Sequence, residues 1–196
     1  MPTEHGVGGS NPPGRVFKSG SVTGPNLFLG LFFYLEKKKI MAYFDESFDL
    51  DQFYMSEALK LAKAAKEQDE VPVGAVITHE GKIIARAHNQ VETLKDPTAH
   101  AEMIAITQAA SHLGNKWLND CEMFVTIEPC SMCVGALVLA RIKRVCFGAH
   151  DEKTGACGSV FNIAQSGILN HKIEITSGVL NRECAQIISG FFKSKR

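Results

Sequence analysis

Two short segments hold the side chains that this chain could use for catalysis: His100-Ala101-Glu102 and Pro129-Cys130-Ser131-Met132-Cys133. One imidazole nitrogen and two thiolate sulfurs can hold a zinc ion and leave its fourth tetrahedral position open for water, as in catalytic zinc sites. Zinc lowers the pKa of such a water toward ~7 and so supplies a nucleophile at neutral pH. Glu102 is then placed to move protons to and from that water. The two segments therefore predict a zinc-assisted hydrolysis.

Simpler interpretations of the same residues remain open at this point. A C-x-x-C pair alone is often a redox dithiol or half of a structural zinc site. A redox pair would not need His100 or Glu102. Glu102 could also be an acidic residue that the helix dipole favours at a helix start. A closed structural site would need a fourth ligand, and the other available cysteines belong to no second ligand-spaced pair: Cys146, Cys157 and Cys184.

Strand patterns on either side of these segments predict a sheet that supports them. Residues 71–77 and 82–87 are rich in apolar and β-branched residues, and they flank His79-Glu80-Gly81. Two such runs separated by a short glycine-containing turn predict a hairpin. Further strands are expected at residues 121–127, 145–147 and 172–175.

Helical patterns alternate with these strands. Apolar residues at three- to four-residue spacing predict a first and a last helix. The apolar stripe of the first helix consists of Met55, Ala58, Leu59, Ala62 and Ala65. That of the last helix consists of Leu180, Cys184, Ile187, Ile188 and Phe191. Helices are also expected after Asp96-Pro97-Thr98 and at about residues 131–140. Both metal-binding segments are therefore predicted at strand-to-helix junctions, where a helix N-terminus lowers the pKa of a thiol. The expected architecture is a sheet with helices on both faces.

Length and composition limit the possible classes of protein. The chain has 196 residues, of which 45% are hydrophobic and 21% charged, so we expect one domain of about 150 residues plus an extension. Six irregularly spaced cysteines, two of them in the C-x-x-C pair, argue against a disulfide framework and favour a reducing cytoplasm. The net charge is zero, but residues 141–196 carry nine Lys and Arg against four Asp and Glu. This basic third could face a polyanion or could be solvated surface.

Residues 1–41 differ in composition from the rest, and we predict that they form a disordered extension to a domain covering residues 42–196. The apolar run of residues 27–35 is shorter than the about 20 residues that a membrane-spanning helix needs. Lysines follow this run, whereas a signal peptide carries its positive charge before it. We expect an over-extended translation start, with the working protein beginning near Met41. A weak targeting peptide is the alternative.

The H-x-E and P-C-x-x-C segments together form the signature of zinc nucleobase deaminases. The chain resembles one family of these enzymes, the bacterial tRNA-specific adenosine deaminases, from about residue 53 to residue 196. The metal-binding segments are shared by the whole deaminase superfamily, whereas the loop from Asp151 to Gly158 and the terminal helix are more typical of this family. The resemblance is carried by residues 70–76, 96–102, 128–133, 147–155 and 191–193.

This resemblance implies a fold, a reaction and partners. The implied fold is a three-layer α/β/α cytidine deaminase-like fold with a central five-stranded mixed sheet. The implied reaction is hydrolytic deamination of adenosine to inosine at wobble position 34 of tRNA, with one zinc ion per subunit, in the cytoplasm and away from membranes. The implied partners are the tRNA anticodon stem-loop and a second copy of the chain in a homodimer. A loop nucleotide suits such an enzyme, because the target base must leave its stack.

The resemblance also implies roles for individual residues. His100, Cys130 and Cys133 are the expected zinc ligands, and Glu102 is the expected proton shuttle. Asn89 is expected to hydrogen-bond the extruded base. The full set expected to bind the substrate is Asn89, Val73, Ala101, Ile127, Asp151, Phe192 and Arg196.

Most of these substrate contacts have a structural alternative. Asn89 could be a turn residue. Val73 and Ile127 could be ordinary core residues. Asp151 could stabilise its own loop, and Phe192 could continue the buried stripe of the last helix. Three basic residues could either contact phosphates or be solvated: Lys143, Arg144 and Lys153.

Two other functions compete with this assignment. A deaminase of a free base or nucleoside, such as guanine or cytosine, would share the zinc segments, but the Asp151 loop and the ending Phe191-Phe192-Lys193 favour the tRNA enzyme. A non-catalytic deaminase-like subunit would typically lack the shuttle glutamate, which is present here as Glu102. The chain shows no longer basic tail after Phe192, as some members have, and we expect this to affect tRNA binding rather than the chemistry.

Overall fold

The computed structural model describes residues 49–195. The predictions for residues 1–41 and for Arg196 lie outside the described residues. Within the described range, the strands are β1 (Gly74–His79), β2 (Lys82–His88), β3 (Cys121–Ile127), β4 (Arg144–Ala149) and β5 (Glu174–Ser177).

The five strands form one mixed sheet in the order β2-β1-β3-β4-β5. The pairs β1/β2 and β1/β3 are antiparallel, and the pairs β3/β4 and β4/β5 are parallel. The parallel register pairs Ile127 with Ala149, so the chain leaves β3 and β4 at the same edge of the sheet. The segments that follow these two strands therefore meet there. The predicted five-stranded mixed sheet is confirmed.

Helices pack on both faces of this sheet, and they are α1 (Leu50–Glu67), α2 (Val91–Leu94), α3 (Ala101–Leu113), α4 (Ser131–Leu139) and α5 (Asn181–Ser194). The predicted first helix is confirmed, since all five residues of its apolar stripe are buried. Asp49 caps it by accepting hydrogen bonds from the N–H groups of Asp51 and Gln52. The four-residue α2 was not predicted, and none of its residues is buried.

Alternation along the strands divides the core between the two faces. In β1, Ala75 and Ile77 pack with residues of α3 and α4, whereas Val76 packs with residues of α1 and α5. Successive side chains of a strand point to opposite faces, so this segregation follows directly from the strand geometry. The result is the predicted arrangement of three layers, with a hydrophobic core on each face of the sheet.

The predicted hairpin between β1 and β2 is confirmed. Its two central residues, Glu80 and Gly81, both have positive φ, at 50° and 72°. That backbone matches the right-handed twist of the flanking strands, and glycine adopts it without steric cost. Among residues 49–195, no helix is long and apolar enough to cross a membrane.

Candidate zinc and substrate site

Two helix N-termini bring the three expected zinc ligands together. His100 is the N-cap residue of α3, and Cys130 is the N-cap residue of α4, both with extended backbone. Cys133 lies in the first turn of α4 and is fully buried. The prediction of strand-to-helix junctions is correct for Cys130, which follows β3 after two residues. It is wrong for His100, because α2 and a turn separate β2 from α3.

The distances among the three ligand atoms fit a zinc ion. Cys130 Sγ lies 3.8 Å from His100 Nδ1 and 3.7 Å from Cys133 Sγ, and Cys133 Sγ lies 3.5 Å from His100 Nδ1. Ordinary zinc bond lengths and tetrahedral angles require about 3.8 Å between two sulfurs and about 3.6 Å between sulfur and nitrogen. Within residues 49–195, no fourth His, Cys, Asp or Glu side chain joins this group. The site thus fits zinc with three protein ligands and one open position.

The two cysteines share a proton in a way that favours binding of a cation. The hydrogen bond between the Cys130 and Cys133 sulfurs, with the help of His100 and against the effect of burial, lowers the pKa of Cys130 to about 4. The same contact and burial raise the pKa of Cys133. Thiolates are the form in which cysteine binds metals, so a zinc ion can take the place of the shared proton.

Glu102 is a buried carboxyl beside these ligands. It is only 3% exposed, and it lies in the first turn of α3, two residues after His100. Burial raises its pKa, although its own backbone N–H and the nearby His100 act in the opposite direction. A carboxyl whose pKa is raised holds its proton more readily, which suits a group that must both accept and donate a proton during a reaction.

One cavity of about 650 Å³ connects this centre with most of the expected substrate contacts. His100, Glu102 and Cys130 line it together with Asn89, Val73, Ile127, Asp151 and Phe192. Ala101 is fully buried and does not belong to the lining. A role of Ala101 in substrate binding therefore stays a prediction without support from its position. Val73 and Ile127 also pack in the core, which confirms the structural alternative for these two residues, and their contact with a substrate stays a prediction.

Asn89 is held by a residue that sequence reasoning did not assign to the site. Glu70 is fully buried and accepts hydrogen bonds from Asn89 Nδ2 at 3.1 Å, from Glu92 N at 3.2 Å and from Thr93 N at 2.7 Å. Burial raises the pKa of Glu70, but these hydrogen bonds outweigh it and the net shift is downward. An ionised carboxylate only accepts, so it fixes the amide of Asn89 with Nδ2 toward Glu70. The carbonyl oxygen of Asn89 is then free to contact a ligand.

A second buried carboxylate organises the loop that follows β4. Glu128, 1% exposed, accepts hydrogen bonds from the backbone N–H groups of Asp151 at 3.2 Å, Cys157 at 2.9 Å and Ser159 at 3.0 Å. Gly155 lies so close that a Cβ there would be 2.5 Å from Glu128 Cδ. The loop is therefore built around Glu128, immediately before the Cys130 ligand. Sequence reasoning missed this role as well, because an acidic residue beside proline suggests an exposed turn.

Asp151 serves its own loop and also faces the cavity. Its carboxylate accepts from the N–H groups of Lys153 at 2.9 Å and Thr154 at 3.3 Å, and from the Thr154 hydroxyl at 2.5 Å. The structural alternative given for Asp151 is thus correct, and it does not exclude a contact with substrate.

Phe192 is 49% exposed and lies edge-to-face on Phe191, with ring centroids 5.5 Å apart.

The three basic candidates for phosphate contacts differ in position. Lys153 lines the cavity, and Lys143 is exposed. Arg144 is instead paired with Asp51 and Glu122, at 2.7 Å and 2.9 Å. Because its guanidinium is already bound by two carboxylates, Arg144 stabilises the fold, and neither interpretation given for it from the sequence is correct.

The sequence and the structure of this chain are similar to those of known proteins. Residues 49–149 match the cytidine and deoxycytidylate deaminase zinc-binding region. The chain is 49% identical over 146 residues to the tRNA-specific adenosine deaminase of Bacillus subtilis (strain 168), covering 74% of this chain and 91% of that protein. It is 51% identical over 145 residues to that of Aquifex aeolicus (strain VF5), covering 74% and 95%. A solved structure from a study of A-to-I editing by tRNA:A34 deaminases has a TM-score of 0.67 and 41% identity, over 69% of this chain and 98% of its own.

Proposed function

The chain belongs to the tRNA-specific adenosine deaminases, within the zinc-dependent cytidine deaminase-like superfamily, and we propose that it deaminates adenosine to inosine at wobble position 34 of tRNA. The observation that carries this proposal is a set of three side chains that fits zinc beside buried Glu102, at a cavity of about 650 Å³. Identity of 49–51% to curated tRNA enzymes supports the substrate class.

The reaction replaces the exocyclic amine of adenine by oxygen from water and releases ammonia. His100, Cys130 and Cys133 would hold the zinc ion, which would supply a water of lowered pKa for this attack. The Glu102 carboxylate would take one proton of the attacking water and pass it to the ring nitrogen. It would then take the proton left on the added hydroxyl group and deliver it to the departing amine, which leaves as ammonia while the C=O bond forms. Because Glu102 is buried beside the ligands, these transfers occur away from bulk water.

The remaining cavity residues bind and orient the nucleotide. The carbonyl oxygen of Asn89, set by Glu70, accepts a hydrogen bond from the extruded base. Val73 and Ile127 form apolar walls against which the base packs, and Asp151 and Phe192 lie where flanking nucleotides enter. Lining of the one cavity by all of these side chains supports the roles.

An assay against a panel of substrates tests the proposed reaction. The zinc-loaded protein is incubated with an anticodon stem-loop RNA bearing A34 and, separately, with guanine, cytosine and cytidine. We expect inosine in the stem-loop and no ammonia from the free bases or the nucleoside. Ammonia released from a free base alone would reverse the assignment in favour of the free-base deaminase.

The oligomeric state and the compartment are part of the same proposal. We propose a homodimer, because large aromatic side chains of the kind that interfaces bury are exposed on the described surface, among them Phe161 (54% exposed) and Trp117 (42% exposed). Sedimentation of the purified protein at micromolar concentration tests this proposal, and a monomer would contradict it.

We propose a cytoplasmic location, because the thiolate ligands must stay reduced. Recovery of the protein in a membrane or secreted fraction would contradict this location.

A further inference from the structure

His150 belongs to the cavity, yet it has no role in the proposed reaction. It is the first residue after β4, it lines the cavity beside Asp151, and its side chain is 54% exposed. Its ring lies edge-to-face against the buried Phe147, with centroids 5.1 Å apart and planes at 89°. On the other side, its Nδ1 lies 3.1 Å from Ser159 Oγ and 3.4 Å from Glu128 Oε2. The ring is therefore positioned by three neighbours.

The partners of Glu128 determine where the proton of this network lies. Each oxygen of Glu128 faces N–H donors, from Cys157 and Ser159 on Oε1 and from Asp151 on Oε2. Burial raises the pKa of Glu128, but the hydrogen bonds from Ser159 and from these N–H donors outweigh it and the net shift is downward, so Glu128 is ionised at neutral pH and only accepts. The Ser159 hydroxyl also bonds to Glu128, and its single proton must be the one donated.

This assignment fixes the tautomer of His150. Ser159 Oγ has no proton left for His150, so it can only accept, and Nδ1 of the ring must carry the hydrogen. The contact of Nδ1 with the Glu128 carboxylate requires the same hydrogen. In the neutral ring Nε2 then carries a lone pair. Nε2 has no hydrogen-bond partner among residues 49–195, so its lone pair is available to accept a hydrogen bond from a ligand in the cavity.

We propose that His150 is a substrate-contacting residue whose Nε2 accepts a hydrogen bond from a donor of an RNA nucleotide next to the extruded adenosine. The inference rests on the proposed function. A phosphate oxygen cannot fill this role, because it only accepts. The donors that an RNA offers are the ribose 2′-hydroxyl and the amino and imino groups of its bases. Ser159 and Glu128 act through His150 as positioning residues.

The test compares three variants with the wild type on the A34 stem-loop. His150→Phe keeps the ring that packs on Phe147 but removes both nitrogens, and His150→Gln returns an acceptor at about the distance of Nε2. His112→Phe, at an exposed histidine in the last turn of α3, is the matched control. We expect His150→Phe to raise KM about 3- to 10-fold, as the loss of one hydrogen bond does, with kcat and zinc content unchanged. His150→Gln should recover most of the loss, and His112→Phe should behave as the wild type.

Substrates with single changes identify the donor by a double-mutant cycle. Stem-loops carrying one 2′-deoxy sugar, or one abasic site, at each position flanking A34 are assayed with the wild type and with His150→Phe. At the contacted position the substrate change should weaken the wild type and have no further effect on the variant. A 2′-deoxy position that behaves in this way identifies the ribose hydroxyl, and an abasic position identifies a base donor; either supports the inference.

Three results would overturn the inference. These are a wild-type KM for His150→Phe, a His150→Gln variant no better than His150→Phe, and fully additive losses at every flanking position. If the wild type leaves the A34 stem-loop unchanged, the proposed function fails and this inference falls with it. If the wild type forms inosine and His150→Phe does so equally well, only the inference about His150 fails.

Discussion

At the scale of single residues, the chemistry depends on the carboxyl of Glu102. Replacing it by alanine removes the proton carrier but none of the three ligands. We expect Glu102→Ala to keep its zinc, measured by elemental analysis, and to lose about 10²- to 10⁴-fold or more in kcat on the A34 stem-loop. An active, zinc-loaded Glu102→Ala protein would contradict the proposed shuttle.

Glu70 is the second residue whose replacement is informative, because it fixes the amide of Asn89. In Glu70→Gln, the new NH2 group must face at least one of the N–H donors that now bond to the carboxylate. We expect KM for the stem-loop to rise about 10-fold, since a misplaced base contact weakens ground state and transition state alike. Glu67→Gln, exposed at the end of α1, is the control. An unchanged KM for Glu70→Gln would show that Asn89 needs no such support.

The zinc ligands and the shuttle could be predicted from the sequence, whereas the residues that position them could not. His100, Glu102, Cys130 and Cys133 are recognisable because their types and spacing match a specific chemistry. Glu70 and Glu128 are single acidic residues next to loops, and such residues are usually exposed. Only the three-dimensional structure shows that each receives three backbone or amide donors from segments about 20 to 30 residues away.

Among the elements of the fold, the segment of residues 150–159 forms one side of the cavity, and its conformation is held by its contacts with Glu128. We expect Gly155→Ala to disturb it, because the added Cβ would lie 2.5 Å from both Asp151 O and Glu128 Cδ. Overpacking of this kind typically costs about 1–3 kcal/mol, so Tm should fall by about 2–10 °C and kcat/KM should fall with it. Gly167→Ala is the control, because a Cβ there meets nothing within 4 Å. An identical Tm and kcat/KM for the two variants would contradict the close packing.

The predicted elements differ from the observed ones where tertiary contacts override the local pattern. Strand β3 was predicted with its observed ends, because the run from Cys121 to Ile127 is apolar and β-branched and is buried in the middle of the sheet. Helix α2 was missed, since four residues with no buried side chain give no periodic signal. The N–H groups of Glu92 and Thr93 donate to Glu70, so this helix is stabilised by a residue 21 positions before its first residue.

At the scale of the whole molecule, Arg144 joins α1, β3, β4 and β5. Its guanidinium bonds to both oxygens of Asp51, at 2.7 and 2.8 Å, and also to Glu122 and Thr176. The hydrogen bond and charge of Arg144 lower the pKa of Asp51, although burial opposes them. Since the folded-state pKa lies below the unfolded value, this stabilisation is complete above about pH 4 and is lost as the pH falls through the folded-state pKa.

Asp51→Asn should therefore lower the free energy of unfolding by about 1–2 kcal/mol at neutral pH and make stability less sensitive to acid. Urea unfolding between about pH 7 and about pH 2 measures both effects, because the stabilisation is lost below about pH 4. Asp120→Asn, at an exposed residue that forms no ion pair with the described residues, is the control. Equal acid sensitivity of Asp51→Asn and the wild type would show that the pair does not stabilise the fold.

The extent of the natural chain is a further prediction at this scale. We expect the protein made in its native host to begin near Met41, because the composition changes there. Intact mass of the natively expressed protein gives the answer directly. A mature chain that retains residues 1–40 would contradict an over-extended start.

The central claim is that the zinc ion has three protein ligands and one position open to water. X-ray absorption at the zinc edge of the fully loaded wild-type protein counts these neighbours. We expect two sulfurs at about 2.3 Å, one imidazole nitrogen at about 2.0 Å, and a fourth neighbour that is not a side chain. A zinc ion with all four positions filled by amino-acid side chains would contradict it.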